Sequence, residues 1–270
     1  MTRPPEAFLP LHRLGQNFLV DRNVLAEIVE RADVGPGDVV LEVGPGHGVL
    51  TRALLDRGAA HVHAVEMDPR LRPELDPLAE ADDRLSLHWG DALAVDLASL
   101  SPFPTKAVAN IPYNITTPLI WKLLGHARLG LRYHLYMVQK EAADRLTAPA
   151  DTRARYPLGV TIEAMGRAVR VRRVPPSCFR PRPRVESALL EIQIDRGWEL
   201  MEDALWSELL HRGFAHRRKT LLNGLKGFKG IQGWDAILAE AGAGPGDRAE
   251  DLSTEAWLAV WRLARERLAG

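Results

Sequence analysis

Between Asp38 and Thr147 the chain repeats one pattern, a short β-branched or apolar run followed by a segment with helical spacing. Strands are expected over Asp38–Val43, His61–Glu66, Leu85–Trp89, Lys106–Ala109 and Leu131–Val138. The intervening helices are expected over Gly48–Asp56, Pro69–Ala79, Thr117–Leu124 and Lys140–Thr147. Alternation of this kind folds as a parallel, doubly wound sheet covered by helices. Two further strands, Ala168–Val174 and Ser187–Ile194, are joined by the Pro- and Arg-rich connection Pro175–Arg184. That link holds no helix, so the pair is expected as an antiparallel hairpin at the sheet edge. After Asp195 only helical patterns remain, over Ala204–Phe214, Arg217–Leu225, Trp234–Glu240 and Thr254–Leu268, with Ser253 as an N-cap. The reading is an α/β, Rossmann-like sheet domain over residues 1–195 and a small all-α domain over residues 196–270.

A chain of 270 residues that is 46% hydrophobic can bury a full core without disulfides or structural metal. The one cysteine, Cys178, excludes an internal disulfide and any multi-cysteine zinc site, and no metal is expected. The longest uncharged stretch, Ala107–Trp121, carries two Pro, two Asn and two Thr and is no membrane span. Met1–Pro10 lacks the apolar core of a signal peptide, so a soluble, cytoplasmic protein is expected. The zero net charge conceals an asymmetry. Asp21–Leu100 holds 16 acids against 7 bases, whereas Arg167–Gly230 holds 14 bases against 7 acids. Seven arginines and no acid fall between Arg167 and Arg184. Such a run is either a solvated face or a phosphate-binding surface.

The strongest local signal is Leu41-Glu42-Val43-Gly44-Pro45-Gly46-His47-Gly48-Val49, where a strand ends in alternate glycines and a helix begins. Glycines there allow a tight turn and let a ligand approach the backbone at a helix N-terminus. Glu66 ends the next strand, 20 residues beyond Gly46, where an acid can accept both ribose hydroxyls of an adenosine. A dinucleotide fingerprint would place a third glycine at position 49, and Val49 stands there instead. Glu42, Glu66 and Asp91 at three strand ends suit a cationic sulfonium ligand better than a pyrophosphate, and Asp91 is placed to meet an adenine amine. These features favour S-adenosylmethionine over NAD. Gly242-Ala243-Gly244-Pro245-Gly246 precedes no strand–helix unit and reads as a turn.

Asn110-Ile111-Pro112-Tyr113-Asn114 follows the fourth strand, beside the crevice where such sheets bind ligands. An exocyclic aromatic amine is a poor nucleophile because its lone pair is delocalised into the ring. An amide oxygen and a backbone carbonyl, each accepting one N–H, draw that nitrogen toward tetrahedral geometry and aim its lone pair. Tyr113 can stack on the base, worth roughly 1–3 kcal/mol. Catalysis would rest on positioning and electrostatics.

Taken in order, Arg13-Leu14-Gly15-Gln16-Asn17-Phe18-Leu19, the glycine loop, Val65-Glu66-Met67-Asp68, Gly90-Asp91-Ala92, the Asn110–Asn114 motif and Pro176-Ser177-Cys178-Phe179-Arg180-Pro181 form a set. This set resembles the ribosomal RNA adenine N6-dimethyltransferases, a class I methyltransferase family, across Leu14–Leu225. Phe214-Ala215-His216-Arg217-Arg218-Lys219-Thr220-Leu221 is similar to the small-subunit branch. The resemblance implies that Asn17 and Leu19 close over the cofactor, with Gly44 beneath it and Gly46, Gly48, Met67 and Ala92 beside it. It implies that Glu66 holds the ribose, Asp91 the cofactor adenine, and Asn110 both the cofactor and the target amine. Catalytic roles fall to Asn110, Pro112, Tyr113 and Phe179, the two rings sandwiching the target adenine. The implied activity is dimethylation of two adjacent adenosines in the hairpin near the 3′ end of 16S rRNA, with a part in small-subunit assembly. A monomer is expected.

Arg180, Arg182 and Arg184 would then grip phosphates beside an extruded base, and Arg217, Arg218 and Lys219 would extend the RNA contact. Ile111 stands where the family commonly has Leu, and Cys178 where it often has a small residue; both read as packing. Three alternatives are disfavoured by particular residues. The segment Phe214–Leu221 argues against the large-subunit, antibiotic-resistance branch. Ile111 and the arginine-rich Phe179 loop argue against adenine DNA and glutamine methyltransferases. Intact Glu66, Asp91, Asn110 and Tyr113 argue against an assembly factor that has lost catalysis.

Overall fold

The run Val39–Val43 is buried at every position, and His61–Glu66 at all but its first. Strands covered on both faces belong in the middle of a parallel sheet. The computed structural model describes residues 15–269 and puts both there. In chain order its strands are Phe18–Leu19 (β1), Val39–Val43 (β2), His61–Glu66 (β3), Leu85–Trp89 (β4), Lys106–Asn110 (β5), Tyr133–Gln139 (β6), Gly166–Val174 (β7), Phe179–Arg180 (β8) and Ser187–Ile194 (β9). The α-helices are Arg22–Ala32 (α1), Val49–Arg57 (α2), Arg72–Ala81 (α3), Thr116–Leu124 (α4), Lys140–Leu146 (α5), Pro157–Met165 (α6), Ala204–Phe214 (α7), Leu221–Leu225 (α8), Trp234–Glu240 (α9) and Thr254–Ala269 (α10).

Seven strands form one mixed sheet in the order β4-β3-β2-β5-β6-β9-β7, and β1 and β8 form a separate antiparallel pair. β2 pairs in parallel with β3, Val39 opposite His61, and with β5, Val40 opposite Lys106. The chain therefore steps outward from β2 in one direction through β3 and β4, and in the other direction through β5. This reversal opens a crevice at the carboxyl ends of β2 and β5, the general ligand position in such sheets. The expected edge hairpin is present, with Gly166 at the start of β7 lying against Gln193 and Ile194 at the end of β9.

Two helices escape the alternation pattern. α1 is capped by the Asp21 carboxylate, which accepts the Asn23 and Val24 amides, and it buries Val24, Ile28 and Ala32. α6 begins on Pro157 and is buried along nearly its whole length, so it shows no polar face. One expected helix starts late. Arg217–Lys219 lie in a turn, and α8 begins at Leu221 because the Thr220 hydroxyl accepts the Asn223 amide. The expected Pro69–Ala79 helix is a 3-10 turn over Pro69–Leu71 followed by α3.

The chain divides into two compact units. The first comprises the described residues up to Ile120, with His134–Lys140 and Val171–Leu190. It holds β2–β5 and the crevice. The second comprises Trp121–Tyr133, Glu141–Arg170 and the residues from Glu191 onward, so the helices after residue 196 share it with α6. Its interior is built on tryptophans. Trp206 is fully buried and donates its Nε1–H to Thr161 Oγ1 at 3.0 Å, and Trp257 is equally buried. A Cβ on Gly213 would come within 2.6 Å of the Trp257 ring, so α7 needs a glycine at that crossing. Arg155 is buried too, donating to Glu163 at 2.9 Å, to Thr254 at 2.8 Å and to the Ala148 carbonyl at 3.2 Å. Among the described residues no helix is long and apolar enough to cross a membrane.

Candidate active site

The glycine loop after β2 turns tightly enough for its amides to meet the acid at the end of β3. Glu66 is nearly buried, and its carboxylate accepts the Gly46 amide at 3.2 Å, the Met67 amide at 2.9 Å and the Asp68 amide at 2.8 Å. Burial raises its pKa above the usual carboxylate range, while the three amides oppose that rise. Asp68 follows, and its Arg70 partner holds it down to about 2. It also accepts Gln16 Nε2 at 2.8 Å. The N-terminal loop is thereby tied to the motif after β3. Gly46 has φ +57°, and a Cβ there would meet the Phe18 ring at 2.7 Å, so this glycine is required by backbone conformation and by close approach together.

These groups wall a cavity of about 230 Å³. Of the residues expected to hold a cofactor, Asn17, Gly44, Gly46, Glu66, Met67, Asp91, Ala92 and Asn110 line it. Asp91 is exposed and accepts the Leu93 amide on one oxygen at 2.8 Å. Pro112 and Tyr113 close another wall. Gln16, Phe18 and Gly90 also line the cavity; each belongs to one of the sequence motifs, and none has a side-chain signal of its own that marks it for the site. Arg13 and Leu14 of the N-terminal motif lie outside the described residues.

Asn110 ends β5, partly exposed, and donates Nδ2–H to the Asn17 carbonyl at 2.8 Å. A carbonyl only accepts, so the amide nitrogen is the atom turned toward it. The Asn110 oxygen is left as the open acceptor of a cavity-lining side chain. The Pro112 carbonyl accepts the Ile115 amide at 3.1 Å and retains its second lone pair. Tyr113 is half-buried, and its hydroxyl lies 2.6 Å from Ser187 Oγ. Burial raises the phenol pKa, so the ring is neutral at physiological pH.

Leu19 and Glu42 line a second cavity, of about 370 Å³, which shares Phe18, Gly44 and Asn110 with the first. Glu42 is 1% exposed, and burial, aided by the Glu66 charge and opposed by the Thr51 hydroxyl, pushes its pKa up to about 8. At neutral pH it mostly carries its proton, and without a bound cation it contributes hydrogen bonding more than charge. Gly48 lines neither cavity; it immediately precedes α2. Phe179 is also absent from both, being wholly buried on β8 opposite Leu19 of β1. The structure thus brings Tyr113 to the cavity wall and leaves Phe179 out of it. Cys178 is buried and burial raises its thiol pKa, in keeping with a packing role.

The arginines separate into two kinds. Arg167, Arg170 and Arg172 on β7 are engaged by Gln193, Asp144 and Glu27. Arg180 bonds the Phe179 carbonyl at 2.9 Å, and Arg217 donates to the Arg153 carbonyl. Arg182, Arg184, Arg218 and Lys219 are exposed and have no partner among the described residues.

The model of the family described as "Ribosomal RNA adenine dimethylase" matches residues 11–266. "Ribosomal RNA small subunit methyltransferase A" of Rubrobacter xylanophilus is 42% identical over 254 residues, covering 94% of both chains. The protein of that name from Thermosynechococcus vestitus is 40% identical over 259 residues, covering 94% of this chain and 96% of its own. Among solved structures, a dimethyladenosine transferase from Plasmodium falciparum superposes with a TM-score of 0.77 at 25% identity, covering 93% of this chain and 98% of that one. The 23S rRNA methyltransferase ErmE superposes with a TM-score of 0.67 at 27% identity, over 94% and 100% of the two chains.

Proposed function

Because the chain belongs to the ribosomal RNA adenine dimethylase family, we propose that it dimethylates the N6 amines of two adjacent adenosines in the 3′-terminal hairpin of 16S rRNA. The donor is S-adenosylmethionine, which supplies an electrophilic methyl group when bound. The residues present suit it. Glu66 and Asp91 offer acceptors for ribose and adenine, and the second cavity, which shares Gly44 and Asn110 with the first, has room for an amino-acid tail beside Leu19 and Glu42. Asn17 closes the site above.

The observation that carries this reading is the amide orientation at Asn110. The Asn17 carbonyl holds its N–H, and its oxygen is the acceptor left for one hydrogen of a target amine. A second acceptor is the free lone pair of the Pro112 carbonyl. Two acceptors on one amine localise its lone pair, and the nitrogen loses a proton once it has become cationic, so no general base need act first. Tyr113 stacks on the target base. Phe179 stacks on the opposite face only after β8 shifts from its buried position. Arg180, Arg182 and Arg184, and Arg217, Arg218 and Lys219 within the helical residues 196–270, contact phosphates. The protein is read as a cytoplasmic monomer acting during small-subunit assembly. Identity near 40% to relatives named for the small subunit supports this branch over the large-subunit one.

The test is mass spectrometry of rRNA from a strain lacking the protein. Loss of N6-dimethyladenosine from 16S rRNA, restored by the wild-type chain and not by Asn110→Ala, is expected. Loss confined to large-subunit RNA, or no loss at all, would overturn the reading.

A further inference from the structure

We infer that Ser187 is a positioning residue for methyl transfer, holding the long axis of the Tyr113 ring in place through the hydrogen bond between the two hydroxyls. The inference rests on the reading of Tyr113 as the base platform and extends it to a residue outside the motif. Tyr113 sits in a 3-10 turn over Tyr113–Ile115, and its side-chain hydroxyl makes a 2.6 Å hydrogen bond with Ser187 Oγ. Ser187 is 0% exposed and opens β9, so its backbone is set by the sheet. The preceding carbonyl, of Glu186, accepts the Lys140 amide at 3.0 Å, which fixes the same point from the β6–α5 side. A half-buried ring in a short turn is thus anchored at its far end to the buried first residue of a sheet strand.

Stacking on a base depends on where the ring sits, and because the phenol oxygen lies on the Cβ–Cγ axis, the hydroxyl tether restrains the swing of the side chain about Cα–Cβ that would shift the ring against the base. Without it Tyr113 retains its apolar surface and its place in the cavity wall but samples more orientations. The target amine then spends less time aligned, which lowers the rate of the chemical step more than it weakens RNA binding.

The test is a double-mutant cycle of Ser187→Ala and Tyr113→Phe, assayed on small-subunit particles that lack the modification. The two substitutions break the same bond from opposite sides, and Tyr113→Phe acts at a half-exposed position where folding is not at stake. Each single variant is expected to lower kcat about tenfold, with KM for the particle within about twofold and the double variant no slower than the slower single. Unchanged donor affinity separates positioning from a general loosening of the fold. Singles whose effects multiply, or a Ser187→Ala protein with wild-type kcat, would overturn the inference while leaving the functional reading intact. A wild-type protein inactive on the particle would overturn the functional reading, and the inference with it.

Discussion

Both units of the molecule bury polar side chains, and they use them in opposite ways. In the first, Glu66 accepts three backbone amides and Asn110 donates to one carbonyl, yet both still face a cavity. In the second, Arg155 is bonded to Glu163, Thr254 and the Ala148 carbonyl and lines no cavity described above. Arg155 also leaves its buried Nε–H without a partner among the described residues, so a site is marked by an unused capacity that faces an open cavity and not by the unused capacity alone. The residue types alone do not distinguish the two cases.

Mutating one member of each network breaks this contrast most directly. Asn110→Ala is expected to lower kcat by about 100-fold or more while leaving the melting temperature nearly unchanged, measured by methyl incorporation and calorimetry. Arg155→Ala should do the reverse, costing about 3 kcal/mol of stability in denaturant titration with kcat of the folded protein preserved. Should Arg155→Ala instead abolish turnover in protein that remains folded, the contrast fails. Gly213→Ala comes next. The added methyl meets the Trp257 ring and is expected to cost about 1–3 kcal/mol with no effect on donor binding.

The arginines sharpen the comparison on the surface. Neutralising Arg182 and Arg184 should weaken RNA binding and reduce the slope of log affinity against log salt by about 2, whereas neutralising Arg170 and Arg172 should leave that slope nearly unchanged. Equal slopes for the two pairs would erase the distinction between engaged and free arginines. The smallest effect concerns Glu42. Its folded pKa is raised, to about 8, so the stability it lends is fully present below its ordinary value of 4.5 and is lost as pH rises through 8. Glu42→Gln is expected to flatten the decline in melting temperature between about pH 5 and pH 8, and an unaltered decline would assign that loss to other groups.

Much of the first unit is legible in the sequence, because its central strands are short runs rich in β-branched residues, and polar residues stand at or beside their ends. Glu66, Asp91 and Asn110 are readable for that reason. α6 is hidden because burial along nearly its whole length erases the periodicity that marks a helix, and α1 because it precedes the strand–helix alternation that begins at Asp38. The β1–β8 pair joins two-residue strands far apart in the chain, a pairing that no local pattern encodes. Phe179, expected as a stacking surface, lies buried on that pair. Gln16 and Ser187 carry roles made wholly by tertiary partners, Asp68 and Tyr113, so neither stands out by its type. Thr220, by contrast, is a legible cap, and reading it as one moves the start of α8 to Leu221.

The partner of the Asn110 amide is a piece of main chain, the carbonyl of Asn17. Every amino acid brings that oxygen, so replacing the side chain at position 17 leaves the acceptor in place. What such a protein must preserve is the route taken by its leading segment past the end of β5, and the damaging lesions there are the ones that reroute it: insertions, deletions, or loss of the Gln16 tether to Asp68.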